Sequence, residues 1–153
     1  MKTNLYRDGM ARLEAGDVKE GRRLLEEALR ASPDDAEVMH GLALALDPLG
    51  ERDRALELLE SAHARAPSEP GPACSLAMAL LERGEDARAD QVLEPVLAVH
   101  PDHPRANLYA AMALAKTDPT HARTLLSTVR GDPELRREAQ ALDLVLSKHE
   151  PSV

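Results

Sequence analysis

Residues 36–69 read AEVMHGLALALDPLGERDRALELLESAHARAPSE, two amphipathic runs joined at Gly50-Glu51 and stopped at Pro67. In the first run, 36–49, Leu42, Ala43, Leu46 and Leu49 recur at helical spacing. The second run, 53–66, repeats the pattern with Leu56, Leu59, Ala62 and His63, and Ala55 and Leu58 widen its apolar face. Gly50 permits a tight turn between two helices. Pro67 ends the second one, because the residue before a proline avoids helical backbone. The stretch therefore predicts a helical hairpin.

The same pattern recurs on both sides at a 34-residue interval. Pro33, Pro67 and Pro101 keep the period, as do Gly16, Gly50 and Gly84, Leu25, Leu59 and Leu93, and the small apolar set Ala28, Ala62 and Val96. Ala43 and Ala77 match Gly9, while Ala55 and Ala89 match Gly21. Small side chains at these points let paired helices approach closely, and the leucines fill the wider gaps. A chain that repeats in this way stacks modules that cannot bury their apolar faces singly. The repetition divides it into units of about 2–35, 36–69, 70–103 and 104–130 within a single domain, 1–153.

The fourth unit leaves strict register. Asp118-Pro119 replaces the Gly-acid turn, with Asp118 as N-cap and Pro119 at the first helical position. A further helix over about 133–148 carries Leu135, Ala139, Leu142 and Val145/Leu146 as an apolar stripe, with Arg136, Arg137, Asp143 and Lys148 toward water. It reads as the atypical end that covers the last apolar face, bringing the expected count to nine helices. Pro48 falls near the end of a first helix, where it costs little, whereas Pro95 falls inside 88–99. An interior proline costs roughly 3 kcal/mol and kinks the axis, which either reshapes the binding face or is simply tolerated on an outer helix.

Composition agrees with closely packed helices. There is no Trp or Phe and only Tyr6 and Tyr109 are aromatic, so the core must be aliphatic. A formal charge of -8 argues against a nucleic-acid partner. The N-terminal residues lack a signal-peptide apolar stretch, and no run is apolar and long enough to insert in a membrane, so a cytoplasmic location is expected. The single Cys74 cannot form an internal disulfide. Fifteen arginines against four lysines suggest a GC-rich bacterial source.

These positions together resemble the tetratricopeptide repeat, a 34-residue helical hairpin. The first unit carries the resemblance through Gly9, Gly16, Asp17, Gly21, Leu25, Ala28 and Pro33, and the second through Leu42, Ala43, Leu46, Gly50, Ala55, Leu59, Ala62 and Pro67. The third carries it through Leu76, Ala77, Leu80, Gly84, Ala89, Leu93 and Pro101. Departures are the scarcity of aromatics, Arg12 where an aromatic or leucine is usual, and the slipped fourth unit. The resemblance implies an all-α fold, a right-handed α-solenoid of antiparallel helical hairpins with a C-terminal capping helix.

It also implies that the first helix of each pair lines a concave face that holds a peptide or partner helix. Carried onto this chain, that face comprises Tyr6, Met10 and Leu13, then His40, Leu44 and Asp47, then Cys74, Met78 and Leu81, then Leu108, Met112 and Ala115. Met10, Leu44, Met78 and Met112 follow the 34-residue interval and draw an apolar track suited to variable apolar side chains. The function expected is a non-enzymatic protein-interaction module, an adaptor or chaperone-like holder of an apolar or amphipathic segment. Alternatively the track is partly buried between first helices, or it or the terminal helix meets a second copy, giving a self-assembling scaffold. Glu14, Glu37, Asp47 and Glu82 at the rim favour partners with basic residues beside their apolar anchors. Arg7, Arg105 and Lys116 are basic, but with His40, Leu44, Cys74 and Met78 in the middle a clamp for a terminal carboxylate is not expected.

No catalytic, cofactor or metal site is expected. His100 and His103 have ligand-like spacing, yet no cysteine pair or acidic motif completes a set. His40 and Cys74 occupy equivalent positions, which in stacked helices lie about 10 Å apart, too far for a nucleophile and its base. Phosphate-binding glycine loops and nucleophile elbows are missing from the sequence.

Overall fold

The computed structural model describes residues 2–148, with side chains from Asn4 onward; Met1 and 149–153 of the expected domain lie outside the described residues. Among the described residues there are nine α-helices and no strand. They fall into two compact units divided between Pro67 and Ser68.

The first unit contains α1 (Lys2–Glu14), α2 (Val18–Ala31), α3 (Ala36–Leu46) and α4 (Arg52–Arg65), with a 3-10 turn at Asp47–Leu49. The glycines predicted to turn the chain do so, with φ of 85° at Gly16 and 81° at Gly50. The two glycine turns close in the same way. Gly16 N–H donates to Leu13 and Asp17 N–H to Arg12; Gly50 N–H donates to Asp47 and Glu51 N–H to Leu46. These paired bonds satisfy carbonyls that a helix end would otherwise leave open. Pro48 sits inside the 3-10 turn, where it interrupts no regular helix.

Within the first hairpin the helices touch at glycine. A Cβ placed on Gly9 would stand 2.8 Å from Leu25 Cγ, and one on Gly21 would stand 3.0 Å from the Gly9 carbonyl oxygen. Leu25 is fully buried and cannot move aside. The small residues expected at this contact are therefore required by it.

The second unit contains α5 (Pro70–Glu82), α6 (Asp86–Val99), α7 (Pro104–Leu114), α8 (Pro119–Val129) and α9 (Arg136–Ser147). Gly84 repeats the left-handed turn at φ 76°, and Asp118 replaces it in the next hairpin, accepting the His121 N–H at 3.0 Å. Helix α6 runs unbroken through Pro95. Before Pro33, Pro67 and Pro101, residues Ser32, Ala66 and His100 share nearly the same backbone, φ -140°, -139° and -125° with ψ 75°, 69° and 71°. That non-helical conformation is the one a following proline imposes.

The terminal helix starts at Arg136, later than expected at 133. The Asp132 carboxylate accepts N–H groups of Glu134 (2.9 Å) and Leu135 (3.2 Å), which holds Pro133–Leu135 as a turn. Ala139 and Leu146 are buried with Ala122, Leu126 and Val129, and Leu135 and Leu142 pack against them. Val145 is instead exposed, so the stripe runs through Leu146. Asp143, expected toward water, accepts Arg123 Nε at 3.3 Å and Arg130 Nη2 at 3.1 Å, tying α9 to α8 and its C-cap.

Gly50→Ala forces a left-handed L-residue and is expected to cost about 1–2 kcal/mol. Gly131 lacks a positive φ and has open space around it, so Gly131→Ala should stay within about 0.5 kcal/mol. Urea unfolding of the two variants measures the difference.

Candidate functional site

In the first unit, α1 and α3 meet where α3 has no side chain. A Cβ on Gly41 would lie 3.0 Å from Met10 Sδ and 3.2 Å from Tyr6 Cε2, so both side chains lie across α3. The Tyr6 hydroxyl donates to the Glu37 carboxylate, and burial followed by that carboxylate pushes the phenol up to about 12. Tyr6, Met10 and Leu13 are half-buried. His40 is half-buried, Leu44 is 41% exposed and Asp47 is exposed.

In the second unit, Met78, Leu81, Met112 and Ala115 are half-buried, with Met112 and Ala115 against the terminal core. Cys74 and Leu108 retain only 4% and 2% exposure and have almost no surface to give a ligand. Burial pushes the Cys74 thiol up to about 11, so it holds its proton at neutral pH and is a poor nucleophile. The accessible residues at these places are Ser75 and Tyr109, each one residue further on. They share a repeat position with Gly41, where the absence of a side chain gave no sign of its direction.

His103 serves the start of a helix. Its Nδ1 accepts the Ala106 N–H at 3.1 Å as the cap of α7. Beside it Asn107, buried to 2%, donates to the carbonyls of Pro101 (2.9 Å) and His103 (3.0 Å), locking the turn before α7. Among the described residues no three His, Cys, Asp or Glu side chains are grouped so as to hold a metal ion.

The family model described as Tetratricopeptide repeat matches residues 12–70 and 49–115, together about two thirds of the chain. The chain belongs to the tetratricopeptide repeat family. No curated protein matches it. Among solved structures it is similar to a thermophilic tetratricopeptide repeat protein of Thermus thermophilus, at 26% identity and TM-score 0.78, covering 97% of this chain and 84% of that one. MamA of Desulfovibrio magneticus is similar at 21% identity and TM-score 0.71, covering 96% and 94%. An O-GlcNAc transferase of Thermobaculum terrenum matches at 28% identity and TM-score 0.72, covering 84% of this chain but 26% of the transferase.

The tetratricopeptide fold supports a protein–protein interaction module, and proteins of this family bind protein partners. Members are generally scaffolds, although the repeat also occurs in enzymes such as that transferase. No described helix is long and apolar enough to cross a membrane.

Three imidazoles in this tetratricopeptide protein carry a burial penalty. Burial pushes His40, His63 and His103 below their ordinary value of 6.5, and Nδ1 of His63 is buried without a hydrogen-bond partner. A group whose pKa is lowered by folding binds fewer protons folded than unfolded, so its contribution makes stability rise with pH. The penalty is absent well above 6.5 and grows as pH falls through 6.5 toward the folded values. The carboxylates of Glu20 and Glu26, lowered by Arg23 and Arg54, act below 4.5 and leave this window clear. Melting temperature is expected to fall between pH 7.5 and 5.5, and His63→Leu to reduce that fall in paired thermal melts.

Proposed function

We propose that the outward stripes of the first helices bind an apolar or amphipathic segment of another protein, making the chain an adaptor or chaperone-like holder. The observation that carries this is Leu44, an aliphatic side chain 41% exposed on a helix whose other large apolar residues are buried. Met78 supports it in the second unit, where a half-buried thioether offers adaptable apolar contact. Surface is contributed by Tyr6, Met10, Leu13, His40, Leu44 and Asp47 in one unit and by Met78, Leu81, Met112 and Ala115 in the other. The acidic Glu14, Glu37, Asp47 and Glu82 favour basic residues beside a partner's anchors.

A second reading, self-assembly, is favoured by α9, where Leu144 and Val145 are 66% and 52% exposed. Light scattering across concentration separates the two, since a self-assembling chain gains mass with concentration.

Leu44→Asp with Met78→Asp is the test of the binding reading. Met112 is a poorer choice because it packs against the terminal core. The double variant should keep its helical circular dichroism and lose at least tenfold in affinity for a leucine-bearing amphipathic peptide, measured by fluorescence polarisation. Unchanged affinity sinks the proposal.

A further inference from the structure

The outermost helix of a solenoid normally turns a polar face to water, which keeps the stack from growing. Helix α9 departs from that. Its inner side is occupied, with Ala139 and Leu146 buried and Leu135 and Leu142 packed against the same core. The other side carries Glu138, Ala141, Leu144, Val145 and Lys148, all exposed, with Leu144 at 66% and Val145 at 52%. Glu138, Ala141, Val145 and Lys148 follow at spacings of three, four and three residues, the seven-residue pattern of a helix that pairs with another helix. Leu144 borders Val145 at the edge of that line, and exposed Arg137, seven residues earlier, lies on the same edge.

The line is complementary to itself. Ala141 and Val145 stand two residues either side of Asp143, and Glu138 and Lys148 stand five residues either side. A second α9 laid antiparallel, with a two-fold axis at the level of Asp143, therefore meets the first small against large and acid against base. Ala141 faces the copy's Val145, Glu138 faces the copy's Lys148, and Leu144 approaches its own counterpart beside the axis. Each contact occurs twice, as an isologous interface requires. A parallel neighbour would set Glu138 against Glu138 and Lys148 against Lys148, which repel. The ion pairs that tie α9 to α8 and its C-cap use Asp143 and leave this line alone. Tyr109 of α7 has its phenol raised by burial and, to a lesser degree, by Glu138, so that carboxylate lies near α7 while staying exposed.

We infer that the outer face of α9 pairs with α9 of a second copy of this chain, antiparallel about Asp143. The inference rests on the self-assembly reading and adds the direction of pairing and the charges that set it. Rim charges of this kind fix register more than affinity. The 12-residue helix is about 18 Å long. One such pair falls short of the roughly 1,200 Å² of a stable interface, so the dimer forms at high concentration and dissociates on dilution.

Sedimentation equilibrium of the full chain from about 10 μM to about 1 mM should show monomer passing into dimer. Leu144→Asp should lower the association constant about tenfold or more, since it places a charge beside its own copy. Glu138→Lys sets lysine against lysine at both ends, and Lys148→Glu sets glutamate against glutamate. Each should weaken dimerisation about threefold to tenfold, and the double variant Glu138→Lys with Lys148→Glu should restore it. Mixing the two single variants should yield a heterodimer tighter than either homodimer, an effect that a purely structural role for either residue would not produce. These differences should shrink in about 0.5 M salt. If the unaltered chain stays monomeric throughout, the self-assembly reading fails and the pairing with it, which leaves the face to another protein. If it dimerises but the single variants match it, or the double variant stays weak, the pairing is refuted while self-assembly stands. Circular dichroism of each variant confirms that the helices persist.

Discussion

Three of the four hairpins depend on left-handed glycine at the end of a first helix. At Gly16, Gly50 and Gly84 a positive φ lets two successive N–H groups fold back onto the last carbonyls of the turn before them, and after a single N-cap residue the second helix begins. An L side chain at that point would be strained, and a longer connection would free the two axes from each other. Because the turn fixes the pairing, the small residues behind it come into contact. Gly9 and Gly21 meet with no room for a methyl group, and buried Ala43, Ala55, Ala77 and Ala89 hold the matching places in the following hairpins. Glycine thus contributes twice, by conformation at the turn and by absence of volume at the crossing.

The seams between successive first helices are filled differently in the two units. Tyr6 reaches from α1 across Gly41 of α3, whereas in the second unit the bulky residue stands on the later helix, Tyr109 of α7, and the position equivalent to Tyr6 and His40 is the small Cys74 of α5. Tyr109 is half-buried against the terminal core, and burial raises its phenol. The chain's only two aromatics therefore serve the two seams from opposite sides. Large opposite small conserves volume, which a close-packed interior requires.

This exchange explains what could be read in the sequence and what could not. Turns, stops and crossing residues follow the 34-residue interval because each answers a local backbone or volume demand. The outward position on a first helix does not. Successive helical residues point about 100° apart, so moving from Cys74 to Ser75, or from Leu108 to Tyr109, changes a buried residue into a half-buried one. The repeat position concerned holds Arg7, Gly41, Ser75 and Tyr109, four residues with no shared character to mark it. The start of α9 was hidden for another reason. The Asp132-Pro133 pair that would cap a helix directly closes a turn first, because the carboxylate takes two nearby N–H groups.

Charge is distributed in a way that separates support from recognition. In the first unit, Arg22 pairs with both Glu26 and Glu51, and Arg54 reaches Glu26 at 2.7 Å, so α2 is linked to the start of α4 through a network of second-helix side chains. Arg65 adds a pair with Asp34 at 2.8 Å. Single exposed pairs contribute little, but a network whose members share partners resists screening better than its parts. Glu26 is held below its ordinary value chiefly by Arg54, which keeps it ionised and the network intact through mild acid. The second helices thus direct much of their charge at one another. On α3 and α7 the surface residues are few, and an apolar side chain sits among them. Such a stripe gains most from a partner that covers the apolar centre while leaving the charges at a wet rim, where desolvation costs least.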